Sequence, residues 1–191
     1  MVGYLTKKPG ICLSVSGPGL TNCISGMANA WSNKQPMIVL GGTVDGFQEG
    51  TGGFQETAQL DFVKTICKFA ARPSSVERIP FYIERAVRAA TYGTPGPVYI
   101  DLPGDMLSAD IPISSVQEAN LVEPLPRTLA DPNSITHALQ VLSESKAPLV
   151  IVGKGMAYAD AAEETREFVE ATNLPYLATP MGKGVIPDDH P

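Results

Sequence analysis

Apolar residues fall in short runs punctuated by glycine and proline. The run Ile11-Cys-Leu-Ser-Val-Ser16 breaks into Gly17-Pro18-Gly19 and reads as a strand closed by a turn. Leu20, Ile24, Met27, Ala28 and Trp31 then recur at helical spacing. Residues 36–42, Pro-Met-Ile-Val-Leu-Gly-Gly, read as a buried strand ended by glycines. Residues 75–92 predict a helix with Ile79, Ile83, Val87 and Ala90 on one stripe and Pro80 near its first turn. Residues 97–103, Pro-Val-Tyr-Ile-Asp-Leu-Pro, predict another strand closed by proline. Near-continuous apolar strands alternating with helices predict an α/β fold, a parallel sheet with helices on both faces.

The pattern lapses over residues 108–130, where prolines interrupt weak periodicity, as in Glu123-Pro-Leu-Pro-Arg127. This segment is a candidate linker between a first domain, 1–107, and a second, 131–191. Asp131-Pro132 predicts an N-cap with proline at the first helical position, followed by the stripe Ile135, Ala138, Leu139 and Leu142. A strand over 148–153, a glycine turn, a helix over 159–172 and a strand over 175–179 complete one strand–helix–strand unit. Two strands cannot bury their own faces, and the first domain opens almost directly into a strand. Both ends are therefore expected to be cut from a longer polypeptide.

Composition narrows the classes. Hydrophobic residues make up 43% and charged residues 18% of 191 positions, which excludes wholesale disorder. A net charge of −6 argues against a nucleic-acid partner. No apolar run approaches the length of a membrane span. Cys12, Cys23 and Cys67 fit no zinc spacing and are expected to be free, buried thiols in a reducing compartment. The 18 glycines and 17 prolines sit between apolar segments, as punctuation in a folded chain.

Three loops could carry chemistry. Ser16-Gly-Pro-Gly-Leu-Thr-Asn22 lies between a strand and a helix, where glycines let backbone approach a ligand and a helix N-terminus offers N–H groups. A tight turn bonded by Thr21 or Asn22 would look the same. Gly52-Gly-Phe-Gln-Glu56 follows a buried strand, where open α/β sheets bind ligands. Phe54 offers an apolar face and Gln55 donors and acceptors; the alternative is a flexible glycine loop with Glu56 near the next helix. Lys154, in Gly153-Lys-Gly155, could meet a phosphate or be solvated in a glycine turn. His137 and His190 have no triad partners and read as surface residues. Asp101, at a strand end, reads as a turn-former rather than a base.

Together these segments resemble thiamine-diphosphate-dependent enzymes of the acetolactate-synthase-like superfamily. The resemblance rests on residues 15–22 (Val-Ser-Gly-Pro-Gly-Leu-Thr-Asn), Asn29-Ala-Trp31, residues 36–42, Phe54-Gln-Glu56 and residues 93–103. Lys68-Phe-Ala-Ala-Arg-Pro-Ser-Ser75, Gly153-Lys-Gly-Met-Ala-Tyr158 and residues 177–191 are more similar to 2-hydroxyacyl-CoA lyases, with oxalyl-CoA decarboxylases as near relatives.

The resemblance implies most of a pyrimidine-binding domain and the start of a Rossmann-like central domain. It implies thiamine diphosphate and Mg²⁺ as cofactors, the former serving as electron sink while the protein orients and polarises. The implied reaction cleaves a 2-hydroxyacyl-CoA to formyl-CoA and an aldehyde, as in fatty-acid alpha-oxidation. Gly17, Pro18, Gly19 and Asn22 would line the pyrimidine side of the cofactor. Phe54 and Gln55 would reach the reacting carbons at a dimer interface; oxalyl-CoA decarboxylases carry Tyr-Glu there, which favours the lyase. Lys154 would contact the ADP part of CoA, while Thr94 stands where relatives often have a phosphate-contacting Arg. The activating glutamate and the Gly-Asp-Gly segment that holds metal and diphosphate would lie outside this chain, so no metal ligand is assigned. An acyl-CoA substrate, a homo-oligomer and an intracellular location, peroxisome or cytoplasm, are the implied setting. The alternatives are an oxalyl-CoA decarboxylase, an acetolactate-synthase-like enzyme, and a non-catalytic fragment that pairs with a full-length subunit.

Overall fold

The computed structural model describes residues 1–124 and 127–190. Leu125 and Pro126 of the expected linker, and Pro191 at the end of the lyase-like segment, lie outside the described residues. The chain forms two compact units, Met1–Pro126 and Arg127–Pro191.

The first unit is built on four parallel strands in the order β1-β2-β4-β3. They are β1 (Gly10–Ser14), β2 (Met37–Thr43), β3 (Phe69–Ala71) and β4 (Pro97–Pro103). Every residue of β4 is buried, as expected of an apolar central strand in a parallel sheet. Alternation along β4 sorts the core into two layers. Val98, Ile100 and Leu102 join Ile38 beneath Ala86 and Ala90 of α4 (Ile79–Thr91). Tyr99 faces the other way, with Val39, beneath Leu20 and Met27 of α2 (Pro18–Ser32) and Val63 of α3 (Gln59–Val63). Helices therefore cover both faces of the parallel sheet.

The periodicity left several short elements unassigned: α1 (Val2–Thr6), α3, β3 and α5 (Gly104–Ser108). Each has five residues or fewer, too short to display a period. The strand expected over residues 11–16 is observed one residue earlier and ends at Ser14, because the chain turns before Gly17. The α4-side face of β1 stays open. Ile11 and Leu13 pair in register with Ile38 and Leu40 but are 73% and 76% exposed. After α5 the chain is mostly irregular and lies along α4: Glu84 accepts from the backbone N–H and side-chain amide of Asn120 at 3.0 and 3.2 Å. Tyr92 donates its hydroxyl to the Glu123 carbonyl at 2.8 Å.

The second unit contains α6 (Pro132–Glu144), β5 (Val150–Val152), α7 (Lys154–Tyr158), α8 (Ala162–Thr172) and β6 (Tyr176–Ala178), with β5 and β6 parallel. Asp131 caps α6 as expected, accepting from the Ser134 N–H at 3.0 Å. Val152, Val169, Val185 and Ile186 form its small core. Two readings change here. The glycine turn expected after β5 is instead the short helix α7. The apolar stripe of α6 is not buried: Ile135 and Leu139 are 47% and 53% exposed. Two strands offer too little sheet to cover that stripe.

The two stripes should respond differently to truncation. Ile100→Ala is expected to destabilise the first unit by about 2–5 kcal/mol, because the vacated space in β4 cannot collapse. Leu139→Ala should cost under about 0.5 kcal/mol. Urea unfolding of the two variants checks this; equal losses would contradict the assignment of buried and open faces.

Candidate functional site

The strand C-termini carry the loops that sequence reasoning singled out, the usual place for ligands in open α/β sheets. A cavity of about 660 Å³ lined by Met1, Gly10, Ile11, Asn29 and Met37 lies at the opposite ends of β1 and β2. None of the candidate cofactor, substrate or CoA residues lines it.

Gly17 is buried at the start of α2 with φ of +55°, a conformation that favours glycine. A Cβ there would lie 2.6 Å from the Gln55 carbonyl oxygen, so the two loops touch. Pro18 takes the first helical position and Gly19 the next, while Asn22 is exposed one turn in. Phe54 is 85% exposed. Gln55 is half-buried and itself sits at φ of +59°. Gly17, Pro18, Gly19, Asn22, Phe54 and Gln55 thus belong to one cluster of the first unit.

A buried polar network underlies that cluster. Gln59, at the start of α3, accepts the Gly17 N–H at 2.7 Å through Oε1. Its Nε2 lies within hydrogen-bonding distance of the Gly42 carbonyl (3.0 Å), the Tyr99 hydroxyl (2.9 Å) and Asp101 Oδ1 (2.8 Å). Tyr99 donates to Asp101 Oδ1 at 2.7 Å, and Arg72 donates to Asp101 Oδ2 from Nε at 2.8 Å. The other arm of Arg72 reaches Glu49 at 2.7 Å. The network ties the Gly17 loop to the ends of β2, β3 and β4. Glycine at position 41 makes room for it, since a Cβ there would overlap the Tyr99 ring.

Environment sets the protonation of these groups. Burial raises the Tyr99 pKa first, and the bond to Asp101 raises it further, so its hydroxyl stays a donor. Burial works against the charge of Arg72, but the bonds to Asp101 and Glu49 outweigh it and raise its pKa. Burial alone pushes the Cys67 thiol up to about 12.

One sequence expectation is corrected here. Asp101 is not a turn-former. It lies inside β4 with no exposed surface and accepts from Tyr99, Gln59 and Arg72. A carboxylate on the same strand face as Tyr99, in an otherwise apolar strand, was the signal: such a group must find partners. Gln59 and Arg72 carried no local pattern, since their roles follow from contacts across about 40 and 30 positions. The glycine loop before Phe54 carries hydrogen bonds of its own. It is organised around Glu56, whose carboxylate accepts the N–H groups of Gly50 at 2.5 Å, Gly52 at 2.9 Å and Gly53 at 3.1 Å. The Gly50 bond is foremost in lowering its pKa, with Gly53 and Gly52 adding to it.

The remaining candidates lie elsewhere. Lys154 opens α7 in the second unit and is half-buried. His137 is exposed on α6. His190 is half-buried, 3.1 Å from Glu170 and edge-on to Tyr176, so it fastens the terminal turn to α8 and β6. The three cysteines are free, as expected, but half-buried rather than buried. Among the described residues no group of three or more His, Cys, Asp or Glu is placed to hold a metal ion.

A family model described as the N-terminal TPP binding domain of thiamine pyrophosphate enzymes matches residues 1–63. A second, the central domain of the same enzymes, matches residues 135–191. The chain belongs to the thiamine pyrophosphate enzymes. Among curated relatives of this family, the chain is 48% identical over 190 residues to a 2-hydroxyacyl-CoA lyase 1 of Mus musculus and 46% identical to that of Homo sapiens. It is 38% identical over 197 residues to an oxalyl-CoA decarboxylase of Escherichia coli strain K12. These matches cover 99–100% of the chain but 33–34% of the relatives' length. In this thiamine pyrophosphate enzyme chain, the N-terminal match contains the Gly17 and Phe54 loops and Gln59, and the central match contains Lys154.

Two outcomes test the site geometry. Arg72→Ala leaves the Asp101 carboxylate buried without its cation and is expected to destabilise the first unit by about 3–5 kcal/mol in urea unfolding. Glu49→Ala removes a 58%-exposed partner and should cost at most about 1 kcal/mol. The second concerns Glu56. Its folded pKa lies below the ordinary 4.5, so its hold on the loop is complete above that value and is lost as pH falls through the folded pKa. The Gly50, Gly52 and Gly53 amide resonances should shift together with a midpoint below 4.5 and lose that titration in Glu56→Gln. A midpoint at or above 4.5 would contradict the cap.

Proposed function

We propose that this chain supplies the pyrimidine side of a cofactor cleft in a thiamine-diphosphate-dependent carbon–carbon lyase that cleaves a 2-hydroxyacyl-CoA to formyl-CoA and an aldehyde. The observation that carries the reading is the contact of the Gly17-Pro18-Gly19 loop with Gln55, in a chain 48% identical to a 2-hydroxyacyl-CoA lyase. The cofactor, when bound, supplies the electron sink for breaking a carbon–carbon bond.

This chain's residues fit the ring end of that group. At Gly17 and Gly19 a Cβ would meet Gln55 and Val15, so the glycines close the loop at the head of α2, whose N-terminus favours electron-rich ring atoms. Asn22 adds an exposed amide one turn along α2. Phe54 presents an exposed apolar face on a loop held by Glu56, which suits a site completed by another subunit and supports a homo-oligomer. Gln55 would orient the substrate's polar groups by hydrogen bonding. The diphosphate and Mg²⁺ end of the cleft is proposed to come from polypeptide outside this chain.

Lys154 is proposed to meet a phosphate of the acyl-CoA as a point charge. No described helix is long and apolar enough to cross a membrane. An intracellular setting, peroxisome or cytoplasm, and a role in fatty-acid alpha-oxidation belong to the same proposal. Phe54-Gln55, in place of Tyr-Glu, favours the lyase over oxalyl-CoA decarboxylase.

The polypeptide encoded by the full reading frame is expected to release formyl-CoA from a 2-hydroxyacyl-CoA only with thiamine diphosphate and Mg²⁺ present. Release of formyl-CoA from oxalyl-CoA alone, or acetolactate from pyruvate, would overturn the substrate assignment.

A further inference from the structure

Cys12 and Cys23 come from different elements, β1 and α2, yet their sulfurs are 3.7 Å apart. Both thiols are free and half-buried at the edge of the core beneath α2. Cys23 also lies 3.4 Å from the Gly19 carbonyl, to which its thiol can donate. The segment between the two cysteines contains Gly17, Pro18, Gly19 and Asn22. Neither the family match nor the proposed reaction uses this pair.

We infer that Cys12 and Cys23 are a redox-active dithiol that closes reversibly to a disulfide by exchange with a small-molecule disulfide such as oxidised glutathione. One thiolate attacks the glutathione disulfide, forming a mixed disulfide and releasing one glutathione. The second thiolate attacks the protein sulfur of that mixed disulfide, forms the Cys12–Cys23 bond and releases the second glutathione. The two thiol protons end on the two glutathiones. The protein pair is oxidised by two electrons and the glutathione disulfide reduced by two.

Two features favour closure over a lasting mixed disulfide. The second sulfur is already in contact with the first, so attack needs no loop search. Burial also holds Cys67 as the thiol at neutral pH, which keeps it from competing for the exchange. Burial, and then Cys12 itself, raise the Cys23 pKa, so Cys23 rests as the thiol and exchange through it runs slowly. Closure would put the Gly17–Asn22 loop inside a covalent ring and withdraw the Cys23 donor from Gly19. The cysteine chemistry itself stands whether or not the proposed function is right.

The sequence allows a direct readout. No Lys or Arg lies between Lys8 and Lys34, so Cys12 and Cys23 share one tryptic peptide, while Cys67 lies between Lys64 and Lys68 in another. The folded chain is incubated with oxidised glutathione, quenched with acid, and its thiols are titrated after denaturation. The titre should fall from three to one, and the shared peptide should become lighter by two hydrogens. Dithiothreitol should restore three. Cys67→Ser should still form the bridge. Cys12→Ser and Cys23→Ser, checked for native circular dichroism, should each stop at a mixed disulfide. A lasting glutathione adduct on the unmutated chain, a bridge to Cys67, a bridge between two chains, or a titre that stays at three would overturn the proposal.

Discussion

A carboxylate with no exposed surface must be given partners, and most of the candidate site follows from how Asp101 is given its own. Arg72 supplies the opposite charge, while Tyr99 and Gln59 supply neutral donors. Arg72 follows β3, Tyr99 lies in β4 and Gln59 opens α3, so satisfying one oxygen pair fixes the ends of three elements. Gln59 then turns its other face to the Gly17 N–H, passing that order to the loop at the head of α2. The Gly17 loop therefore gains its order from beneath.

The sheet itself sets the second constraint. Parallel strands need cover on both faces, and α2, α3 and α4 give it to β2 and β4 but not to the α4 side of β1. Ile11 and Leu13 are apolar residues in a strand built to be buried, so further polypeptide over this face would complete the layer. The same logic applies to the open stripe of α6. Both observations accord with a chain that spans about a third of its relatives' length.

Much of this was legible in the sequence. The long strands β2 and β4 and the helices α2, α4, α6 and α8 announced themselves by periodicity and by glycine or proline at their ends. The Gly17 and Phe54 loops were legible because each follows an apolar run, and a strand end is where such sheets bind ligands. What escaped was long-range. Gln59 opens the short helix α3 and Arg72 follows the short strand β3, neither with a period to read, and their meaning appears only when β4 brings Asp101 between them. Asp101 was misjudged because a strand-end aspartate next to Leu102-Pro103 resembles a turn signal. Its alternation with Tyr99 argued for the buried face. Glu56 reads locally as a helix-start residue, yet it closes back on the glycines that precede it.

The link from Asp101 through Gln59 to the Gly17 backbone orders the loop on which the cofactor's ring is proposed to rest. A crystal structure of the full-length polypeptide with thiamine diphosphate bound measures both at once. It should place the aminopyrimidine ring against Gly17, Gly19 and Asn22, with the Gly17 N–H still bonded to Gln59. A cofactor ring bound away from this loop, or a Gly17 amide released from Gln59 and turned to another partner, would contradict the account.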